Sequence, residues 1–171
     1  QVTILKKAGM EFYRGILNGK EVVVVQAGVG KVNAACCTQC LIDHFGVDCV
    51  INTGIAGSLQ AKINIGDVVL ATDAVEHDMD AVSFGYPLGQ IPGMKEFSFE
   101  ADEKLRKVAK ECCEKVNPDI QVFEGRVLTG DQFIAEKDKK QWLVDQFQGY
   151  CTEMEGAAIA HTAHLNQVPC L

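Results

Sequence analysis

Apolar runs and amphipathic stretches alternate along this chain, and glycine-bearing turns punctuate them. Leu17-Asn18-Gly19 marks a turn after an amphipathic lead-in. Residues 22–25 are four consecutive valines, the pattern of a strand buried on both faces. They run into Ala27-Gly28-Val29-Gly30, after which 31–45 reads as a helix stopped by Gly46. Residues 47–52 predict a second strand, ending in Thr53-Gly54-Ile55-Ala56-Gly57, and 67–75 a third. Residues 102–116 predict a charged helix with Leu105, Val108, Ala109 and Cys112 on one face. Residues 121–128 predict a strand running into Thr129-Gly130-Asp131, and 137–147 a short helix. Residues 156–166 predict a last helix, and Val168 opens a further apolar segment.

Strands alternating with helices imply an α/β fold around a mainly parallel or mixed sheet. Ligands of such sheets bind beyond the carboxyl ends of the strands, where Gly, Asp and Glu recur here. No repeat, low-complexity tract or linker interrupts residues 1–171, so a single domain is expected. The stretch 76–97 reads as a functional loop. The chain also reads as incomplete: a first strand is not evident before the 22–25 run, and the segment opened by Val168 stops at Leu171.

Composition narrows the field. The 171 residues are 47% apolar and 23% charged, as in a globular domain of one core. A net charge of −7 disfavours nucleic acid, which requires clustered Lys and Arg. No apolar run approaches the roughly 20 residues that span a bilayer, so a membrane partner is not expected. The eight cysteines sit mostly in apolar or helical patterns, which favours free thiols and a cytoplasmic setting. Cys36, Cys37 and Cys40 include a C-x-x-C spacing without a second ligand pair, and His161 and His164 lack HExxH context. Neither a metal nor another cofactor is expected.

The chemistry concentrates in Thr152-Glu153-Met154-Glu155-Gly156-Ala157-Ala158. In an extended segment Glu153 and Glu155 share one side and Met154 takes the other. Small residues after them admit close approach to the backbone. A carboxylate in an apolar setting requires a partner, and the hydroxyls of a sugar would serve. Ala27-Gly28-Val29-Gly30-Lys31 matches neither GxxxxGK[ST] nor GxGxxG and reads as a tight strand-to-helix turn. Taken alone, Asp131 reads as the cap of the helix that follows it. In a ligand site, Phe133 would instead stack on a base with the Ile134 backbone at its edge. His77-Asp78-x-Asp80 reads as loop-ordering. Ser83-Phe84-Gly85-Tyr86-Pro87 and Ile91-Pro92-Gly93 read as a packed loop, a lid or a dimer contact.

Together these segments resemble the 5′-methylthioadenosine/S-adenosylhomocysteine nucleosidases of the nucleoside phosphorylase superfamily. The resemblance is carried, in the family's order and over nearly the whole chain, by six segments. They are Ala27-Gly28-Val29-Gly30-Lys31-Val32, Ile51-Asn52-Thr53-Gly54-Ile55-Ala56-Gly57, His77-Asp78-Met79-Asp80, Phe84-Gly85-Tyr86 with Gly89-Gln90-Ile91-Pro92-Gly93, Gly130-Asp131-Gln132-Phe133-Ile134, and Glu153-Met154-Glu155-Gly156-Ala157. It implies a three-layer α/β/α, nucleoside phosphorylase-like fold with a central mixed sheet flanked by helices. It also implies hydrolysis of the N-glycosidic bond of 5′-thioadenosines to adenine and a 5′-thioribose, in methionine salvage. By resemblance, Glu155 binds the ribose hydroxyls as the catalytic carboxylate, with Glu153 beside it and Met154 packed on sugar and base. Phe133 stacks on adenine and Ile134 reads its edge. Ala56 and Gly57 line the base and ribose pocket; Val29, Ala81 and Phe84 line the alkylthio pocket. Tyr86 and Pro92 reach a partner's pocket, which implies a homodimer. The family's general acid, an aspartate in an S-D motif, would lie beyond Leu171, and its water-activating glutamate before Gln1. The fragment as it stands is therefore expected to bind weakly and not to turn over. A purine nucleoside phosphorylase and a non-catalytic nucleoside-binding protein of the same fold remain open alternatives, with a cysteine-based redox or metal protein a more distant one.

Overall fold

A computed structural model describes residues 2–171. The chain opens with three antiparallel strands, β1 (Thr3–Lys7), β2 (Met10–Leu17) and β3 (Lys20–Val25), ordered β1-β2-β3. Both connections are two-residue turns with positive φ at each residue: 50° and 76° at Ala8-Gly9, 48° and 79° at Asn18-Gly19. Tight hairpins of the primed type need that backbone, and Asn-Gly is its strongest sequence signal. The four-valine run is thus half of a hairpin rather than a strand buried on both faces. Val24 is 61% exposed, whereas Val23 and Val25 pack with Met10, Phe12 and Cys37. A strand does precede it, contrary to expectation, but as an antiparallel partner.

The second sheet has five strands ordered β4-β8-β7-β5-β6. These are β4 (Gly57–Ser58), β5 (Val68–Glu76), β6 (Phe99–Glu100), β7 (Val122–Thr129) and β8 (Cys151–Glu153). β5, β7 and β8 run parallel; β4 and β6 are antiparallel edges, so the sheet is mixed. Residues 47–52 do not form the strand that was expected. Only Val50 bridges, in parallel, to Cys170, with Val50 N–H donating to Pro169 O at 2.9 Å. Asn52 N–H likewise donates to Leu171 O at 2.7 Å.

Four helices cover these sheets: α1 (Lys31–Phe45), α2 (Glu103–Val116), α3 (Lys137–Phe147) and α4 (Gly156–Leu165). α1 ends at Gly46 in the left-handed conformation, and α2 starts at Asp102, whose side chain accepts from Leu105 N–H at 2.8 Å. α3 buries Leu143 and Phe147 against Val75 and Leu128. Glu76, next to Val75 and so on the opposite face of β5, meets His161 of α4. Helices therefore flank both faces of the mixed sheet, as the three-layer expectation requires. The loop after β5 holds a short 3₁₀ turn, Val82–Phe84, and is otherwise irregular.

One feature of register positions the site. Glu76 pairs with Thr129 and Thr129 with Glu153, so the last residues of β5, β7 and β8 lie in one row. Three parallel strands release their chains together at that end.

Candidate active site

The β8 end does not stay extended long enough for Glu153 and Glu155 to share a face. β8 stops at Glu153, and Glu155 already occupies the N-terminal cap position of α4. The two carboxylates diverge. Glu153 turns inward, where Oε2 accepts from Glu155 N–H at 2.8 Å and Gly156 N–H at 2.6 Å. Oε1 accepts from the Thr129 hydroxyl, whose own oxygen accepts from Ala157 N–H at 2.7 Å. Glu153 and Thr129 together satisfy the free amides at the start of α4. Burial pushes the Glu153 carboxyl above its ordinary value, against the opposing pull of those donors.

Glu155 turns the other way, across the site to α1. Gly30 N–H donates to its Oε1 at 2.7 Å. Gly30 has a φ of 94°, which favours glycine, and a β-carbon there would stand 3.1 Å from Asp131 Oδ1. The next amide, Lys31 N–H, donates to that Asp131 oxygen at 2.9 Å. The Ala27–Gly30 segment is therefore the tight strand-to-helix turn that was expected. Asp131 caps α1 rather than the helix that follows it in sequence, because the β7 end lies beside the start of α1.

The Lys31 ammonium completes the arrangement. It donates to Glu76 Oε2 at 3.0 Å and Asp78 Oδ1 at 2.8 Å. Asp78 Oδ2 accepts from Asp131 N–H at 2.9 Å, consistent with a loop-ordering role. Glu76 Oε1 lies 3.3 Å from His161 Nδ1, and His161 stacks on Phe99 with 4.6 Å between centroids. The His161 contact, with Lys31 beside it, holds the Glu76 carboxyl below its ordinary value despite burial. Burial would raise Asp78, but Lys31 and Asp131 N–H outweigh it and hold it low. His77 is 2% exposed with both ring nitrogens unpartnered among the described residues, and burial lowers its pKa.

Some of the other expected residues adjoin this end, and others lie on the loop that leaves β5. Gly57 pairs with Thr152, which brings Ala56 and Gly57 beside the Glu153–Glu155 turn. Val29 precedes Gly30 and is 69% exposed; Met154 is half-buried between the two glutamates. Phe133 is 88% exposed just beyond Asp131, while Ile134 packs against the α3 core. Ala81 is buried and Phe84 exposed on the loop leaving β5. Further along that loop Tyr86 is half-buried and Pro92 exposed. Sequence reasoning passed over Lys31, Glu76, Thr129 and His161 as site residues. The available signal was position, since Glu76 and Thr129 end parallel strands and Lys31 begins the first helix. Among the described residues no three His, Cys, Asp or Glu side chains gather as a metal set.

Such a site offers one anchored carboxylate, an exposed aromatic ring and a glycine-lined turn, the chemistry of a nucleoside pocket. The phosphorylase superfamily model matches residues 1–171. A 5′-methylthioadenosine/S-adenosylhomocysteine nucleosidase of Bacillus cereus (strain G9842) is 42% identical over 163 residues, 95% of this chain and 70% of that protein. Among solved structures, a Helicobacter pylori MTAN mutant with 5′-methylthioadenosine in the active site superposes with a TM-score of 0.93 at 35% identity. That match covers 99% of this chain and 72% of the other. Futalosine hydrolase of Helicobacter pylori strain 26695 gives 0.93 at 36%, covering 99% and 71%. The chain belongs to the phosphorylase superfamily and stands within it among the 5′-methylthioadenosine/S-adenosylhomocysteine nucleosidases.

Proposed function

We propose that this protein hydrolyses the N-glycosidic bond of 5′-methylthioadenosine and S-adenosylhomocysteine, releasing adenine and a 5′-thioribose. The observation that carries the reading is Glu155: a half-buried carboxylate at the strand ends with one oxygen fixed by Gly30 N–H at 2.7 Å. Its second oxygen is left for the hydroxyls of a ribose. Breaking the ribosyl–nitrogen bond builds positive charge on the sugar. A carboxylate already oriented beside that sugar stabilises the charge without reorganising. The exposed Phe133 ring supplies a stacking face for adenine, with Ile134 backbone groups at its edge and Met154 against sugar and base. Ala56 and Gly57 line the ribose side, and Val29, Ala81 and Phe84 the alkylthio side. Adenine leaves with a proton, so a general acid is required. Asp131 and Glu153 are not assigned that role, because Lys31, Thr129 and backbone amides engage their carboxylates. Glu153 enters the reading as the group that fixes the backbone beneath Glu155.

Water, rather than phosphate, is the nucleophile in this reading. Phosphate recognition favours bidentate arginine. All three arginines are paired elsewhere: Arg14 with Glu21, Arg106 with Glu124 and Arg126 with Asp73. The working unit is a homodimer in which Tyr86 and Pro92 reach the partner's pocket. The exposure of Val82, Phe84 and Pro92 on one loop supports that contact. A cytoplasmic setting and a place in methionine salvage complete the proposal; eight free thiols support the former.

The test is adenine release by the full-length protein from methylthioadenosine, adenosylhomocysteine and futalosine, each with and without phosphate. Phosphate-independent release from the two thioadenosines is expected. Release only with phosphate would make the protein a phosphorylase, and cleavage of futalosine alone would move the substrate class.

A further inference from the structure

The turn at Gly30 and Lys31 is gripped from three strand ends at once. Gly30 N–H donates to Glu155 beyond β8, and Lys31 N–H to Asp131 beyond β7. The Lys31 ammonium reaches Glu76 and Asp78 at the end of β5. Asp131 N–H then donates to Asp78 Oδ2, so Lys31, Asp131 and Asp78 close a ring of contacts at 2.8–2.9 Å. Gly30 is the free element within it: a glycine at φ 94° has no side chain to hold its dihedrals. Its carbonyl accepts only from Ala34 N–H at the first turn of α1. Both peptides that meet at Gly30 are held: Asn33 Nδ2 donates to Val29 O at 2.6 Å, and Asp131 Oδ1 accepts from Lys31 N–H at 2.9 Å. The first of them carries the donor that orients Glu155.

We infer that Asp131 is a positioning residue for Glu155. It holds the Gly30–Lys31 peptide while Asn33 holds the one before it, which pins the Gly30 dihedrals between them and so aims the free Glu155 oxygen at the sugar hydroxyls. The inference rests on the proposed nucleosidase reading. Asp131 is itself exposed, so removing its carboxylate does not open the core. Placement to within about 0.5 Å is what a binding constellation demands.

The experiment compares the unsubstituted full-length protein with its Asp131→Ala and Asp131→Asn variants. Each is given methylthioadenosine and its 2′,3′-dideoxy counterpart. Asp131→Ala should lose about tenfold or more in kcat/KM on the ribose substrate, since misplacement by about 1 Å can cost roughly a hundredfold. The loss should fall mainly in kcat, since Glu155 acts on charge that builds in the transition state. It should largely vanish on the dideoxy substrate, which offers Glu155 no hydroxyls. Asp131→Asn, which keeps an oxygen acceptor for Lys31 N–H, should recover most of the loss. Equal losses on both substrates, or no loss on either, would overturn the assignment, because a general weakening of the fold does not discriminate between sugars. Crystal structures of the two variants give a readout that needs no turnover. The Gly30–Glu155 contact should be broken in Asp131→Ala and kept in Asp131→Asn; its survival in Asp131→Ala would equally refute the role. No adenine from the unsubstituted full-length protein would sink the nucleosidase reading and leave those structures to decide on Asp131.

Discussion

Two glutamates separated by one methionine do opposite work here. Glu153 stabilises the protein, through two backbone amides and a threonine hydroxyl. Glu155 is held by an amide at the start of a distant helix, and in the proposed reading its other oxygen takes the ribose. Substitution should separate them. Glu155→Gln keeps an acceptor for Gly30 N–H but not the anion; kcat should fall about 10²–10³-fold with the melting temperature unchanged. Glu153→Ala leaves buried donors unsatisfied and should cost about 1–3 kcal/mol per group in denaturant unfolding. A catalytic loss without a stability loss at Glu153 would reverse the two roles. The sequence singled out Glu155, because a carboxylate among apolar neighbours requires a partner, and one partner is Gly30 N–H. It could not reveal the inward turn of Glu153. That depends on β8 ending one residue before Met154 and on Thr129 lying beside it in register.

The existence of most elements was legible, the parallel strands β5 and β7 included, but which partner flanks each run was not. α1 and α3 follow from periodicity together with Gly46 at one stop, and Asp102 announces α2. The hairpin around Val22–Val25 and the bridge at Val50 were misread. An apolar run does not say which partner will flank it, or whether both faces will be covered. Asp131 was misplaced for the same reason, since its cap lies 100 residues away in sequence. Glycines at the strand ends carry a related constraint. A β-carbon at Gly130 would come within 2.5 Å of the His77 ring, which is rigid and fully buried. Gly130→Ala should therefore cost about 1–3 kcal/mol through forced displacement of the ring. Urea midpoints measure it, and an unchanged midpoint would mean that His77 moves aside freely.

For the molecule as a whole, buried ionised groups set the acid limit. Burial works against Asp73, but Arg126 overrides it and holds the carboxyl low, as Lys31 does for Asp78. Contacts with His161 and Lys31 do the same for Glu76. A depressed folded-state pKa adds stability above the unfolded value, here 3.8 for the aspartates and 4.5 for Glu76, and that stability is lost as pH falls through the folded values. Glu153, raised by burial, has the opposite sign: it favours folding most at or below its ordinary 4.5 and less as pH rises above it. Three groups against one predict a melting temperature that drops below about pH 4. The drop should be shallower in Asp78→Asn; an identical curve would remove Asp78 from the acid transition. The thiols give a second global test. Burial pushes Cys151 and Cys170 up to about 12 and Cys37 to about 11. Exposed Cys36, Cys49 and Cys112 should react with a thiol reagent in the native protein, and the buried three only after unfolding. Rapid reaction of all eight would mean that the core opens readily.

The most direct measurement is a crystal structure of the protein with an unreactive adenosine analogue. The account predicts the free oxygen of Glu155 within hydrogen-bond reach of the ribose hydroxyls, its other oxygen still on Gly30 N–H, and the Phe133 ring against adenine. A nucleoside bound with its furanose away from Glu155 would contradict it.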